Sequence, residues 1–257
     1  MLADDLIAAH EQAREVPQFT ENYPDLTPQA GYIAARALHE HRLARGWKSL
    51  GRKIGFTNRT IWQRYGVYEP IWGTVYDRTV IEAPTGHATV PLKGLVNPRI
   101  EPEICFGLGA APRANDVLAA IEWVAHSVEI VQCHHSGWRV TLADCTADNG
   151  LHGRLIVGEQ VGIREVPELA QRLPEVAAEL FRGDALVDRG VGANVLGSPL
   201  IALAHLVELL ARQGESLAAG EIVTTGVITD AHPVAPGETW STRISGLPLP
   251  GLRLEFV

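Results

Sequence analysis

This sequence predicts an α+β fold, a mixed β core with a helical region at its N-terminus, and three observations support it. Residues 1–50 read as helical, with recognisable start and stop signals. From about residue 51 the texture changes to short β-rich runs punctuated by Gly and Pro. Two of those runs, Ile100-Glu101-Pro102-Glu103-Ile104-Cys105-Phe106 and Val128-Glu129-Ile130-Val131, carry carboxylates inside apolar strands. Helices gathered at one end, ahead of a strand-rich remainder, point to α+β.

Taken in order, Leu2 to Val16 forms a first helix and Thr27 to Arg45 a second. Thr27 is the expected N-cap, Pro28 the first helical residue and Gly46 the stop. Residues 1–50 are thus a helical region and 51–257 a β-rich catalytic domain, the two making one compact unit. Asn115 or Asp116 caps a short helix through Ile121 to Val124, which feeds the strand of Glu129. Ala177–Phe181 and Ala185–Asp188 form a hairpin about Arg182-Gly183-Asp184. Ser198-Pro199 opens a helix with Ile201, His205, Leu206 and Leu209 at helical spacing, and Gly214 ends it. Glu221–Thr225, Glu238–Ile244 and Leu252–Val257 are the closing strands. Pro102 has no N–H to give a ladder, so its strand is expected at an edge or with a bulge.

Composition narrows the function. A hydrophobic share of 46% and a charged share of 20% over 257 residues are those of a soluble globular protein. A net charge of −8 gives no electrostatic reason to expect nucleic acid or an anionic membrane as partner. The acidic start Met-Leu-Ala-Asp-Asp-Leu does not read as a signal peptide, and no apolar run has bilayer-spanning length. Cys105, Cys133 and Cys145 lack CxxC spacing and fit a reducing cytoplasm. The absence of GxGxxG, P-loop, GxSxG and HExxH patterns argues against nucleotide-dependent and serine-nucleophile chemistry.

In a strand of period two, Glu101 and Glu103 share one face while Ile100, Ile104 and Phe106 take the other. Burying unpaired carboxylates is costly, so this pair and Glu129 need a compensating cation. Salt bridges to residues such as Arg99 and Arg139 would serve. The same-face spacing favours three hard oxygen donors for Mg²⁺ or a similar ion with positions open to substrate. Lys53, in Gly51-Arg52-Lys53-Ile54-Gly55, reads as a buried-strand lysine, or as one whose pKa is lowered so that it moves protons. Cys133-His134-His135 suggests zinc, but adjacent residues in extended chain point apart, so a loop with incidental polar residues is the expectation. His152 follows a turn at Asp148-Asn149-Gly150. Thr224-Thr225-Gly226 either offers N–H groups and a hydroxyl to an anion or is an ordinary strand exit.

Together these clusters resemble the hydratase/decarboxylase branch of the fumarylacetoacetate hydrolase superfamily. The likeness runs from Asn22-Tyr23-Pro24-Asp25-Leu26-Thr27 through Gly51–Thr57, Pro98–Ile104, Val128–Val131 and Ala147-Asp148-Asn149 to Leu196–Leu200 and Thr225-Gly226. It implies a mixed β-sheet roll with an N-terminal helical region. Glu101, Glu103 and Glu129 would hold Mg²⁺ or Mn²⁺, and Lys53 would transfer protons. The implied substrate is a small unsaturated 2-oxo or 2-hydroxydienoic acid of aromatic catabolism. The chain departs from the branch at three places. Ile71, in Glu69-Pro70-Ile71-Trp72-Gly73, stands where hydratases carry an acid/base Asp; Glu69 or Asp77 would have to substitute. Cys133-His134 and Leu151-His152 replace Ser-Arg and Ser-Ser. Ile71, His134, His152, Thr225 and Gly226 are therefore the expected substrate-contacting positions. The resemblance implies a cytoplasmic metal-dependent lyase, and Ile71 leans it towards decarboxylating a 4-oxalocrotonate-like 2-oxo-3-enedioate. Hydration of a 2-hydroxypenta-2,4-dienoate is the alternative. Further readings are acylpyruvate C–C hydrolysis, which needs a His-Glu dyad at His152 or His135, and a non-enzymatic scaffold subunit. A homo-oligomer, and a complex with a pathway partner enzyme, are also implied.

Overall fold

Helices open the chain, as the sequence predicts. The computed structural model describes residues 2–257. Helix α1 (Leu2–Gln12) stops short of Val16 because Ala13 takes a positive φ of 47° and Pro17 forces the residue before it into extended backbone. Val16 then donates its N–H to the His134 carbonyl at 2.8 Å. After α2 (Phe19–Asn22), α3 (Pro28–Ala44) starts as predicted, with the Thr27 hydroxyl accepting from the Ala30 N–H at 3.2 Å. Helices α4 (Trp62–Tyr65), α5 (Leu142–Ala147), α6 (Leu169–Arg172) and α7 (Pro199–Arg212) lie among the strands. Gly31 lets α3 lie close on α5, since a Cβ there would fall on Thr146 Oγ1. Leu6, Phe19, Ala34, Leu38 and Ala147 seal this contact.

The strands, in chain order, are β1 (Ser49–Gly55), β2 (Ile71–Tyr76), β3 (Val80–Glu82), β4 (His87–Val90), β5 (Arg99–Leu108), β6 (Ile121–Val131) and β7 (His152–Val157). They continue with β8 (Val161–Gly162), β9 (Ala177–Arg182), β10 (Ala185–Val191), β11 (Ile222–Thr224), β12 (His232–Pro233), β13 (Thr239–Ser245) and β14 (Arg253–Phe256). One sheet runs β2-β1-β11-β5-β6-β7-β3, with β12 added to β5 and β8 to β6. It mixes parallel β1·β11 and β3·β7 pairs with antiparallel neighbours. A second sheet runs β10-β9-β13-β14-β4 and contains the predicted hairpin.

Strand alternation decides which side becomes core. Ile100, with Val128 and Ile130 of β6, packs on Leu180, Trp240, Leu254 and Phe256 of the second sheet. Ile104 and Phe106 join Leu203, Leu206 and Leu210 of α7. Glu101, Glu103 and Cys105 therefore point to the other face, as the period of two requires. No helix among the described residues is long and apolar enough to cross a membrane.

Three local expectations change. Residues 121–124 are strand, not helix: a short 3₁₀ turn at Leu118–Ala120 precedes β6, and neither Asn115 nor Asp116 caps it. The run Ile121-Glu122-Trp123-Val124 pairs with β5 and β8, and cross-strand pairing overrides the helical reading. On α7 the buried residues are Pro199, Ala202, Leu203, Leu206 and Leu210, while Ile201 is 46% exposed. Pro102 lies in an interior strand and at no bulge. It is tolerated because β11 leaves β5 after Thr224 and β12 rejoins only at His232. In that gap Pro102 needs only its carbonyl, which accepts the Ile228 N–H at 2.9 Å.

Candidate active site

The register around the gap assembles the charged residues. Glu101 of β5 sits directly across from Glu129 of β6. Lys53 of β1 is in line with Thr224 of β11, and Thr224 with Cys105 of β5, so Lys53 reaches the same face. One oxygen from each of Glu101, Glu103 and Glu129 lies within 4.8 Å of the others. Lys53 is buried, and its Nζ lies 3.1 Å from Glu129 Oε2.

Each of the two deeper carboxylates is fixed by one oxygen. Glu103 Oε2 accepts from the Thr224 hydroxyl and from the Gly226 N–H at 2.9 Å, which leaves its buried Oε1 without a hydrogen-bond partner. Glu129 Oε1 lies 2.8 Å from His152 Nδ1, and the other His152 nitrogen lies 2.8 Å from Thr79 Oγ1. Glu129 Oε2 has the Lys53 ammonium at ion-pair distance but no aligned hydrogen bond. The anion served by the Thr-Thr-Gly strand exit is thus Glu103 itself.

The protonation pattern follows from burial and like charge. Burial, with Glu129 adding to it against the pull of Lys53, raises the Glu101 carboxyl to about 7. Burial together with Glu129 and Glu101 raises Glu103 well above the usual range. Glu129 goes the other way, because Lys53 and His152 outweigh its burial. Burial alone would lower the Lys53 pKa, yet the three carboxylates outweigh it and hold the ammonium protonated. Three hard oxygens against one ammonium, with a buried oxygen of Glu103 unpartnered, fit a divalent cation such as Mg²⁺ or Mn²⁺.

A small cavity opens on this group. Lys53 and Glu101 line its polar end, and Phe56, Ile71, Trp138, Val140 and Leu151 form apolar walls. Ile71 therefore faces the cavity. Glu69 and Asp77 do not: both are exposed, and Asp77 accepts the Lys48 N–H at 2.9 Å. Asp230, which the sequence reading missed, does line it. It sits in a loop with no periodicity to mark it.

The remaining predicted contacts lie behind the wall. His134 is buried against Asp148, with Nδ1 2.8 Å from Oδ2, so it is not an incidental loop residue. His135 turns away to the Pro17 carbonyl at 3.1 Å, so the two neighbouring imidazoles serve different partners. His152 does form a His-Glu pair, but with Glu129 and with its second nitrogen on Thr79, away from the cavity. The Thr225 hydroxyl donates to the Ile104 carbonyl at 2.9 Å. None of His134, His152, Thr225 and Gly226 lines the cavity.

The wall carrying Leu151 is pinned to β2. Asn149 matches the Thr74 backbone with both amide atoms, at 2.9 and 3.0 Å. Gly73 makes room for it, since a Cβ there would fall on the Asn149 carbonyl oxygen. Gly73→Ala is expected to cost about 2–3 kcal/mol, read by chemical denaturation, because rigid backbone stands on both sides. A wild-type midpoint would mean that the turn moves freely.

No protein-family model matches the chain. It is 34% identical over 251 residues to a 4-oxalocrotonate decarboxylase of Pseudomonas sp. (strain CF600), covering 96% of this chain and 92% of that protein. It is 30% identical over 260 residues to a 2-keto-4-pentenoate hydratase of Paraburkholderia xenovorans (strain LB400), covering 99% and 93%. Its fold matches a 4-oxalocrotonate decarboxylase from Pseudomonas putida G7, complexed with magnesium and adipate, at a TM-score of 0.91. That match has 30% identity and covers 100% of this chain and 96% of the other. With carboxylates, lysine and sheet order already in place, these likenesses put the chain in the family of 4-oxalocrotonate decarboxylases and 2-keto-4-pentenoate hydratases.

Proposed function

We propose that the chain is a divalent-metal-dependent lyase that decarboxylates a short, 4-oxalocrotonate-like 2-oxo-3-enedioate. The observation that carries the reading is the cavity itself: Lys53 and Glu101 of the carboxylate triad at one end, and Ile71 among the apolar side chains that form much of the wall. Glu101, Glu103 and Glu129 would hold the ion, which when bound supplies a Lewis acid at the 2-oxygen of the substrate. Loss of CO₂ breaks the bond to the distal carboxylate and sends its electron pair through the conjugated chain to that oxygen. Lys53 is the group placed to deliver the proton that completes the 2-hydroxydienoate. Phe56, Ile71, Trp138, Val140 and Leu151 keep water from the conjugated chain, which favours CO₂ loss over water addition.

A second reading, hydration of a 2-hydroxypenta-2,4-dienoate, rests on Asp230, the further carboxylate on the cavity. Acylpyruvate hydrolysis loses support, because the His152–Glu129 pair does not face the cavity. A scaffold role has none, since a scaffold requires neither buried carboxylates nor Lys53. In the same proposal residues 1–50 are a supporting region, and the chain associates with further copies and with a pathway partner. Three buried thiols in no disulfide support a cytoplasmic location.

The test is a substrate panel of 2-oxo-3-enedioates, 2-hydroxydienoates and acylpyruvates with Mg²⁺ or Mn²⁺, resolving CO₂, hydrated and cleaved products. CO₂ from the enedioate is expected, with Ile71→Asp shifting product towards hydration. A hydrated product that Asp230→Asn abolishes would establish the second reading, and metal-independent turnover would remove both.

A further inference from the structure

A second buried polar cluster lies away from the carboxylate site. It joins His10 of α1, Arg42 of α3, His134 after β6 and Asp148 after α5. His134 Nδ1 hydrogen-bonds Asp148, at 2.9 and 2.8 Å from its two oxygens, while His10 Nε2 lies 2.7 Å from Asp148 Oδ1 at ion-pair distance without an aligned hydrogen bond. Arg42 Nη2 lies 3.1 Å from His10 Nδ1. A guanidinium only donates, so His10 Nδ1 accepts and the ring's proton sits on Nε2, the nitrogen beside Asp148. His134 and Asp148 are fully buried.

His10, His134 and Asp148 also have the makeup of a metal site, with ligand atoms within 4.8 Å of one another. Two observations oppose that use. The nitrogen–oxygen separations of 2.7–2.9 Å are those of direct contact, shorter than the roughly 3.3 Å between neighbouring ligands of a tetrahedral ion with bonds of about 2 Å. The Arg42 guanidinium also puts a positive charge against His10, where a cation would be repelled.

The segment after Asp148 gives the cluster a purpose. Asn149, Gly150 and Leu151 all take positive φ, at 49°, 63° and 64°. This conformation is unfavourable for Asn and more so for Leu, and persists only where surroundings over-determine it. Asn149 is held by Thr74, while the Leu151 N–H returns to the Asp148 carbonyl at 2.8 Å. Gly150 and Leu151 line the cavity.

We infer that Asp148 is a positioning residue, which His10 and His134 lock in place to hold the left-handed 149–151 segment as the cavity wall. Helix α1 thereby becomes part of the site through His10, although it touches neither the carboxylates nor the cavity. The consequence for turnover rests on the lyase reading; the effect on the wall does not.

The test compares His10→Leu with His10→Gln, whose amide keeps a polar N–H beside Asp148. Amide hydrogen exchange of residues 149–152, without substrate, is expected to quicken about tenfold or more in His10→Leu and to stay near wild type in His10→Gln. Exchange in β5 and β6 should not change. KM for the organic acid is expected to rise about tenfold in His10→Leu, with Mg²⁺ affinity unaltered and His10→Gln restoring it. Faster exchange without turnover on any panel substrate would sink the lyase reading while sustaining the anchor. Wild-type exchange in His10→Leu overturns the inference. So does a second equivalent of bound Mn²⁺ or Zn²⁺ that this variant loses, because the trio would then be a metal site. Should His10→Leu unfold, Asp148→Asn carries the same exchange measurement, with the same wild-type result overturning the role.

Discussion

Lys53→Met is expected to lower kcat by about 10³-fold or more while the divalent ion still binds. The wild-type site has three carboxylates and one ammonium, with Nζ 3.1 Å from Glu129 Oε2. Replacing the ammonium by an apolar group removes the charged proton donor placed beside the carboxylates. It also removes the positive charge that competes with the ion for Glu129. Ion affinity, measured by titration calorimetry, should therefore hold or tighten as turnover disappears. Without ion the variant should melt below wild type, because Glu129 loses its cation, and Mg²⁺ or Mn²⁺ should restore the difference. Wild-type kcat in this variant would remove the lysine from the chemistry, and loss of ion binding would make its role structural.

The second large effect is a pH dependence of stability that the ion controls. Burial, only partly offset by neighbouring Asp148, lowers the His10 imidazole from 6.5 to about 4. Burial does the same to His126, whose nitrogens lie 3.0 Å from the Glu103 carbonyl and 2.7 Å from Thr242 Oγ1. A depressed imidazole pKa gives stability that is complete above 6.5 and lost as pH falls towards 4. Each such proton is worth about 1.4 kcal/mol per pH unit, so the pair gives up to about 3 kcal/mol per unit. Glu101 has the opposite sign: raised to about 7, it adds stability below its unfolded value that is lost as pH rises. Glu103, also raised, acts alike.

In EDTA these terms oppose one another, and stability to urea should fall less steeply below about pH 6.5 than it does with the ion bound. With saturating Mg²⁺ the carboxylates are ionised, the imidazole terms stand alone, and stability should fall steeply below about pH 6.5. Weakening of the ion as its ligands protonate acts in the same direction. Equal slopes with and without ion would contradict the proposal that the carboxylates with raised pKa values hold the metal.

Much of the architecture was legible because its signals are local. Thr27, Pro28 and Gly46 mark one helix within a single stretch of chain, and Ser198-Pro199 marks another. The glutamate triad was legible for a similar reason, since a period of two and an apolar setting are visible in a few residues. What failed depended on partners far along the chain. Residues 121–124 are strand because β5 and β8 lie beside them, and Pro102 is interior because β11 and β12 leave a gap. His134 pairs with Asp148, which also meets His10, and no local pattern announces such a meeting. Asp230 faces the cavity only because its loop crosses that gap.

The place of β11 bears on how the molecule is made. Strands β1 and β5, which bring Lys53 and the first two glutamates, are not neighbours; β11 lies between them and hydrogen-bonds to both. That strand and the Gly226 N–H come from the last fifth of the chain, so a ribosome has delivered every charged member of the triad long before the slot can close. Until then Glu103 lacks its clamp and Lys53 its neighbour. On the proposed metal role, ion capture is expected to wait for the end of synthesis, and chains clipped before β11 are expected not to bind the ion.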